Sequence, residues 1–130
     1  MKTDEITLTL PRDRNYYEIA RLVLGGLAIR LDLTYDHLDD LQTALESVLR
    51  EQEANGELTI SLRVDDDALH TTVGPFAGTR LRAALEREDE GDELSLRRLL
   101  GTVCDRFRVE ERGGSDWIEL TKAYEGAGAA

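Results

Sequence analysis

The side chains with chemical reach in this sequence are few: His37, His70, Cys104 and a run of carboxylates at Asp65–Asp66–Asp67. A zinc site needs histidine and cysteine ligands at short, fixed spacings, and these three residues have none. Successive aspartates offer oxygen, but a calcium loop spaces its ligands and adds a glycine and a terminal glutamate, so the run reads as a solvated turn. No serine lies in the Gly-x-Ser-x-Gly context that supports an acyl-transfer triad. Gly25–Gly26 falls inside a helical pattern, not at a helix N-terminus where backbone N–H groups take a phosphate. Its expected role is close packing against a neighbour, bought at about 1 kcal/mol of helix propensity per glycine relative to alanine.

These residues must be placed by the elements around them. The organising stretch runs from Asn15 to Ala54, as two consecutive helices with a turn at Asp32–Leu33–Thr34. In the second, Leu38, Leu41, Leu45, Val48 and Leu49 recur at steps of three and four, which puts them on one helix face. Thr34 is the expected N-cap and Asp36 suits the positive helix end. Asn55–Gly56 supplies the expected stop. The first helix has Ile19, Leu22, Val23 and Leu27 on one side and Tyr17, Ala20, Leu24 and Leu31 on another, an arc wide enough for burial between a sheet and a second helix.

Residues 5–10 alternate, with Ile6, Leu8 and Leu10 on one side and Thr7 and Thr9 on the other, and Pro11 ends that strand. Leu58, Ile60, Leu62 and Val64 form the clearest strand, returning through the aspartate turn as 68–73 in a hairpin. Its inner face is expected against Leu41, Leu45 and Val48. Residues 74–78 read as a loop and 79–88 as a short helix carried by Leu81, Ala84 and Leu85. An acidic connector (88–93) follows, then a helix over 94–107 whose stripe includes Leu96, Leu99, Leu100, Val103, Cys104 and Phe107. Cys104 is therefore expected in the core. Residues 108–112 and 115–124 close the chain as a hairpin, with Trp117 covering the outer sheet face. This order predicts an α+β two-layer sandwich: a mostly antiparallel, mixed sheet with helices on one face. It forms a single domain over 1–125, with a frayed tail at 126–130.

The 130-residue chain fits one domain, and its 41% apolar content supports a core. A formal net charge of −11 argues against nucleic acid, which needs clustered lysine and arginine. It favours a basic protein partner. One cysteine leaves no internal disulfide, and MKTDEITLTL is charged and alternating, so the expected location is the cytoplasm. No apolar run is long enough to span a bilayer.

With those patterns in place, RNYYEIARLVLGGLAIRLDLTYDHLDDLQTALESVL resembles the opening of the bacterial anti-sigma-factor serine kinases, small members of the histidine-kinase-like (GHKL) ATPase superfamily. The likeness is carried by Thr34, Tyr35, Leu38, Asp40, Leu41, Ala44 and Leu45. It extends through GELTISLRVDDDALHTTV and LLGTVCDRFRVEERGGSDWIELTK, so that it covers nearly the whole chain.

The resemblance implies nucleotide-site positions, and this sequence departs from the family's pattern at each. The family's second helix carries Glu-x-x-x-Asn, base and magnesium ligand; the matching positions here are Ser47 and Glu51. Glu46 is adjacent, but one step along a helix turns a side chain about 100° away. The adenine-reading aspartate after the central hairpin is missing, since Val73 runs into Gly74–Pro75–Phe76. The glycine box opening the last helix reads Asp92–Glu93–Leu94–Ser95–Leu96. Glu86, Glu88, Asp89, Glu90, Asp92 and Glu93, against Arg87, gather where a triphosphate would enter.

The expected function is a non-enzymatic regulator, which binds a sigma factor or an antagonist-type protein and takes no cofactor. Ser47, Glu51, Gly74 and Ser95 stand as degenerate cofactor positions, and Leu81 and Leu85 are expected to fill the vacated pocket. The alternative is a divergent ATP-dependent anti-sigma-factor serine/threonine kinase using Glu46 or Glu51 with ATP and magnesium. A third reading is a domain that pairs with itself as a homodimer.

Overall fold

A computed structural model describes residues 4–51, 56–88 and 94–124. The elements follow the expected order: β1 (Asp4–Pro11), α1 (Arg14–Leu31), α2 (Tyr35–Leu49), β2 (Glu57–Val64), β3 (Ala68–Phe76), α3 (Arg80–Glu86), α4 (Leu96–Val103), β4 (Arg106–Arg112) and β5 (Ser115–Ala123). The five strands form one sheet in the order β1-β2-β3-β5-β4. Every pairing is antiparallel, so the sheet is not mixed as expected.

Strand alternation decides the two faces. Leu58, Ile60 and Leu62 of β2, Leu69 and Val73 of β3, and Ile118 and Leu120 of β5 are buried. They join one cluster with Leu24 and Leu27 of α1 and Leu41, Ala44, Leu45 and Val48 of α2. The expected packing of β2 on α2 is therefore present, with Val64 partly buried at its edge. Each such leucine or valine contributes about 1.5–3 kcal/mol by leaving water. The opposite face alternates out as Thr7, Thr9, Thr59, Ser61, Arg63 and Glu119.

Local signals act where the sequence puts them. Thr34 caps α2, its hydroxyl accepting from the His37 N–H at 3.1 Å. Asp32 closes α1 in the left-handed region (φ 56°) while the Leu33 N–H reaches the Ala28 carbonyl at 3.0 Å. The aspartate turn is pinned from the far end of the chain: Tyr124 donates its hydroxyl to the Asp65 carbonyl at 2.7 Å and its N–H to Asp67 at 3.0 Å.

Five further expectations are corrected. First, α2 ends at Leu49, not at Ala54; residues 52–55, including Asn55, lie outside the described residues. Gly56 does adopt a positive φ of 84°, but it serves the loop: its carbonyl takes the Arg12 N–H at 3.0 Å. Second, the α1 arc is buried only along Ala20, Leu24, Leu27 and Ala28, while Ile19 and Leu22 are exposed, as is Ile29. Third, a Cβ at Gly25 or Gly26 would meet nothing within 4 Å, so close packing does not explain these glycines. Fourth, β3 continues through Gly74–Pro75–Phe76. Its register against β5 shifts between Val73 and Phe76, and an irregularity there tolerates a proline that cannot donate. Fifth, α4 stops at Val103. Cys104 turns extended and the Asp105 N–H bonds the Thr121 carbonyl at 2.9 Å, so Phe107 belongs to β4.

Cys104 is nonetheless buried, as expected of a core residue. Trp117 is half-buried on the outer face and covers Gly74 there, with the Arg112 guanidinium 5.2 Å from its ring centroid. The acidic segment 89–93 and the tail 126–130 lie outside the described residues. Among the described residues, no helix is long and apolar enough to cross a membrane.

Candidate functional site

A cleft of about 600 Å³ opens where three helix ends meet. The end of α2 contributes Ser47, Arg50 and Glu51; Ala84, Arg87 and Glu88 come from α3 and the residues after it; Leu94, Ser95, Leu96 and Leu99 come from the start of α4. Local sequence explains the placement. Ser95 is the N-cap of α4, its hydroxyl accepting from the Arg98 N–H at 3.2 Å, which directs the first turn at the cleft. After Leu49 the Glu51 N–H folds back to the Val48 carbonyl at 3.0 Å, bringing Arg50 and Glu51 round the helix end.

Three of the four positions expected to be degenerate therefore gather here. Ser47 is buried and its hydroxyl donates to the Thr43 carbonyl at 2.8 Å, so its proton is directed along its own helix. Glu51 lies past the end of α2 and does not repeat Ser47 on the same helix face. Ser95 is committed to its cap. Gly74 is elsewhere: a Cβ on it would lie 2.4 Å from Cδ2 of Trp117, so this glycine makes room for the indole on the outer face.

Glu46 points away from the cleft and pairs with Arg21 of α1 at 2.6 Å, as its helical position implies. Asp40, one of the residues that carry the family likeness, has a structural partner. Lys122 of β5 reaches it at 2.9 Å and donates also to the Val103 carbonyl at 3.0 Å, joining α2, α4 and β5. No local pattern relates Asp40 to Lys122, 82 residues apart.

Leu81 and Leu85 do not fill the cleft. Leu81 is 1% exposed within the core and Leu85 packs partly buried against it, leaving Ala84 on the wall. Sequence reasoning missed Arg50, and placed Arg87 only as the lone cation of the acidic segment. They set two cations against Glu51 and Glu88, so the described lining is balanced and not acidic. The only signal available was their place beside the predicted site positions.

Burial pushes the Cys104 thiol up to about 11, against a small opposing effect of Lys122, which keeps it protonated and unreactive at neutral pH. Among the described residues, no group of three or more histidine, cysteine, aspartate or glutamate side chains is placed to hold a metal ion.

The element order, the helices on one face of an antiparallel sheet, and a cleft at the helix ends define the two-layer sandwich of the histidine-kinase-like ATPase domains. No protein-family model matches the chain. Among curated relatives, the serine-protein kinase RsbW of Bacillus velezensis is 31% identical over 95% of this chain and 88% of its own length. The RsbW of Bacillus subtilis is 28% identical over the same shares. That of Listeria innocua is 31% identical over 54% of this chain and 49% of its own. The chain belongs to the RsbW family of serine-protein kinases.

Proposed function

We propose that this chain is a regulator of the anti-sigma type that works by binding protein, and that it does not hold ATP in the family's manner. The observation that carries this reading is the fate of the nucleotide positions. Ser47 is bonded to its own helix, Glu51 stands beyond the helix end, and the residue after Val73 is a glycine lying under Trp117. Magnesium, base and adenine contacts each lack the side chain that the family likeness assigns to them. The partner proposed is a sigma factor or an antagonist-type protein with a basic contact face, in keeping with a net charge of −11. The proposed location is the cytoplasm.

A second reading, a divergent ATP-dependent serine kinase, has an observation of its own. The cleft is open, and Arg50, Arg87 and the N-terminus of α4 border it, which are groups that attract phosphate. Glu51 would then act at the metal, since a carboxylate is a competent magnesium ligand; Glu46, paired with Arg21, would not.

Titration of purified sigma factors and their antagonist proteins, with and without ATP–magnesium, separates the two readings. Saturable binding that nucleotide leaves unchanged is the expected outcome. Binding that requires ATP, or transfer of phosphate to a serine of the antagonist, supports the kinase and overturns the proposal.

A further inference from the structure

On the sheet face that no described helix covers, Arg63, Arg106 and Arg108 line a cavity of about 280 Å³ with His70, Glu119 and Thr121. The register explains their assembly. Arg63 of β2 is the cross-strand partner of His70, His70 of Thr121, and Thr121 of Arg106, so the four form a continuous row across the sheet. Three strand spacings, roughly 14 Å, separate the two arginines at its ends, with Thr121 between them. Arg108 sits one outward position along β4.

The row is rigid in the middle and under-neutralised at its ends. His70 is 8% exposed, with Nε2 2.8 Å from Asp65 Oδ2 and Nδ1 3.2 Å from Thr121 Oγ1. Arg63 approaches Asp65 only at 3.8 Å, and Arg108, with 68% of its side chain exposed, lies 3.4 Å from Glu119 and 3.9 Å from Glu110. Arg106 is exposed and forms no ion pair with a described carboxylate. Three guanidinium groups therefore meet one lining carboxylate, Glu119, while Asp65 and Glu110 reach Arg63 and Arg108 only at 3.8 and 3.9 Å and Arg106 has no described carboxylate partner.

We propose that this row binds a phosphate-class oxyanion, held by Arg63, Arg106 and Arg108. Each guanidinium presents a planar fork that matches oxyanion oxygens two at a time. Forks arriving from two sides suit a tetrahedral dianion with oxygens in every direction, whereas one fork satisfies a lone carboxylate. The exposed Arg108–Glu119 pair is no obstacle, because such surface pairs contribute only about 0–1 kcal/mol. The site lies on the opposite side of the sheet from the helical cleft and is independent of any nucleotide bound there.

Amide NMR titration tests this with inorganic phosphate, with glycerol phosphate as the monoester, and with sodium chloride at matched ionic strength. The expected result is saturable shifts at residues 63, 70, 106, 108 and 121 that chloride does not reproduce. The tighter of the two phosphates identifies whether the free anion or the ester is the ligand class. Arg106→Gln and Arg63→Gln replace exposed or half-exposed side chains, so the fold survives, and each should weaken binding about tenfold. Shifts that chloride reproduces, shifts centred on Ser47, Arg87 and Ser95, or unaltered binding in Arg106→Gln would overturn the proposal.

Discussion

Gly74→Ala places a Cβ 2.4 Å from Cδ2 and 2.7 Å from Cε3 of Trp117, contacts that only movement of the ring or strand relieves. Overpacking of this kind costs about 1–3 kcal/mol. The variant should unfold at lower urea and, since Trp117 is the sole tryptophan, show a changed emission maximum. Identical stability and emission would mean the indole does not lie on this glycine. Cys104 makes a second prediction. Its thiol is raised from 9.0 to about 11 by burial, so the unfolded chain loses the proton first as pH rises. Stability from this group is fully present below pH 9 and is lost as pH climbs through 11, by about 2–3 kcal/mol. Cys104→Ala should flatten that alkaline limb of the stability profile; an equally steep decline would assign it to other groups. Lys122 makes a third. Lys122→Met removes the partner of Asp40 and a donor to Val103, and should destabilise by about 1–3 kcal/mol.

Among the elements, periodicity read the number, order and type correctly because alternation and three-four spacing report which side chains avoid water. It misjudged what lies opposite. Leu22 and Ile29 fit an amphipathic helix as well as Leu24 does, yet they are 67% and 83% exposed. Hydrophobicity marks a face, and only tertiary contacts say whether that face is covered. The same limit shifted two helix ends. Leu96, Leu100, Val103 and Phe107 satisfy a helical period, but Phe107 and Val109 also satisfy a strand period, and pairing with β5 decides the matter. The candidate site was legible in part: the family likeness points to Ser47, Glu51 and Ser95, which converge, whereas the place of Arg50 and Arg87 depends on where α2 and α3 end, and the Arg63 row on strand register. Two substitutions check these assignments. Thr34→Ala should cost about 1 kcal/mol through the lost α2 cap. Ile29→Lys should stay within about 0.5 kcal/mol of the parent, because that side chain buries little. A large loss at Ile29 would show that the outer face of α1 is covered in solution.

For the whole molecule, the balance of 27 acidic against 16 basic residues sets how partners approach. Steering by exposed charge fades as the Debye length shrinks from about 30 Å at 0.01 M to about 8 Å at 0.15 M salt. Association with the proposed basic partner should therefore slow and weaken as salt is added; an affinity independent of ionic strength would remove charge from the account. The proposal that this sandwich keeps the family's scaffold but not its nucleotide chemistry is tested most directly by calorimetry of the chain with ATP and magnesium. The account predicts no saturable heat up to millimolar nucleotide. Saturable binding at micromolar ATP, weakened by Arg87→Ala in the cleft, would contradict it and establish the divergent kinase in its place.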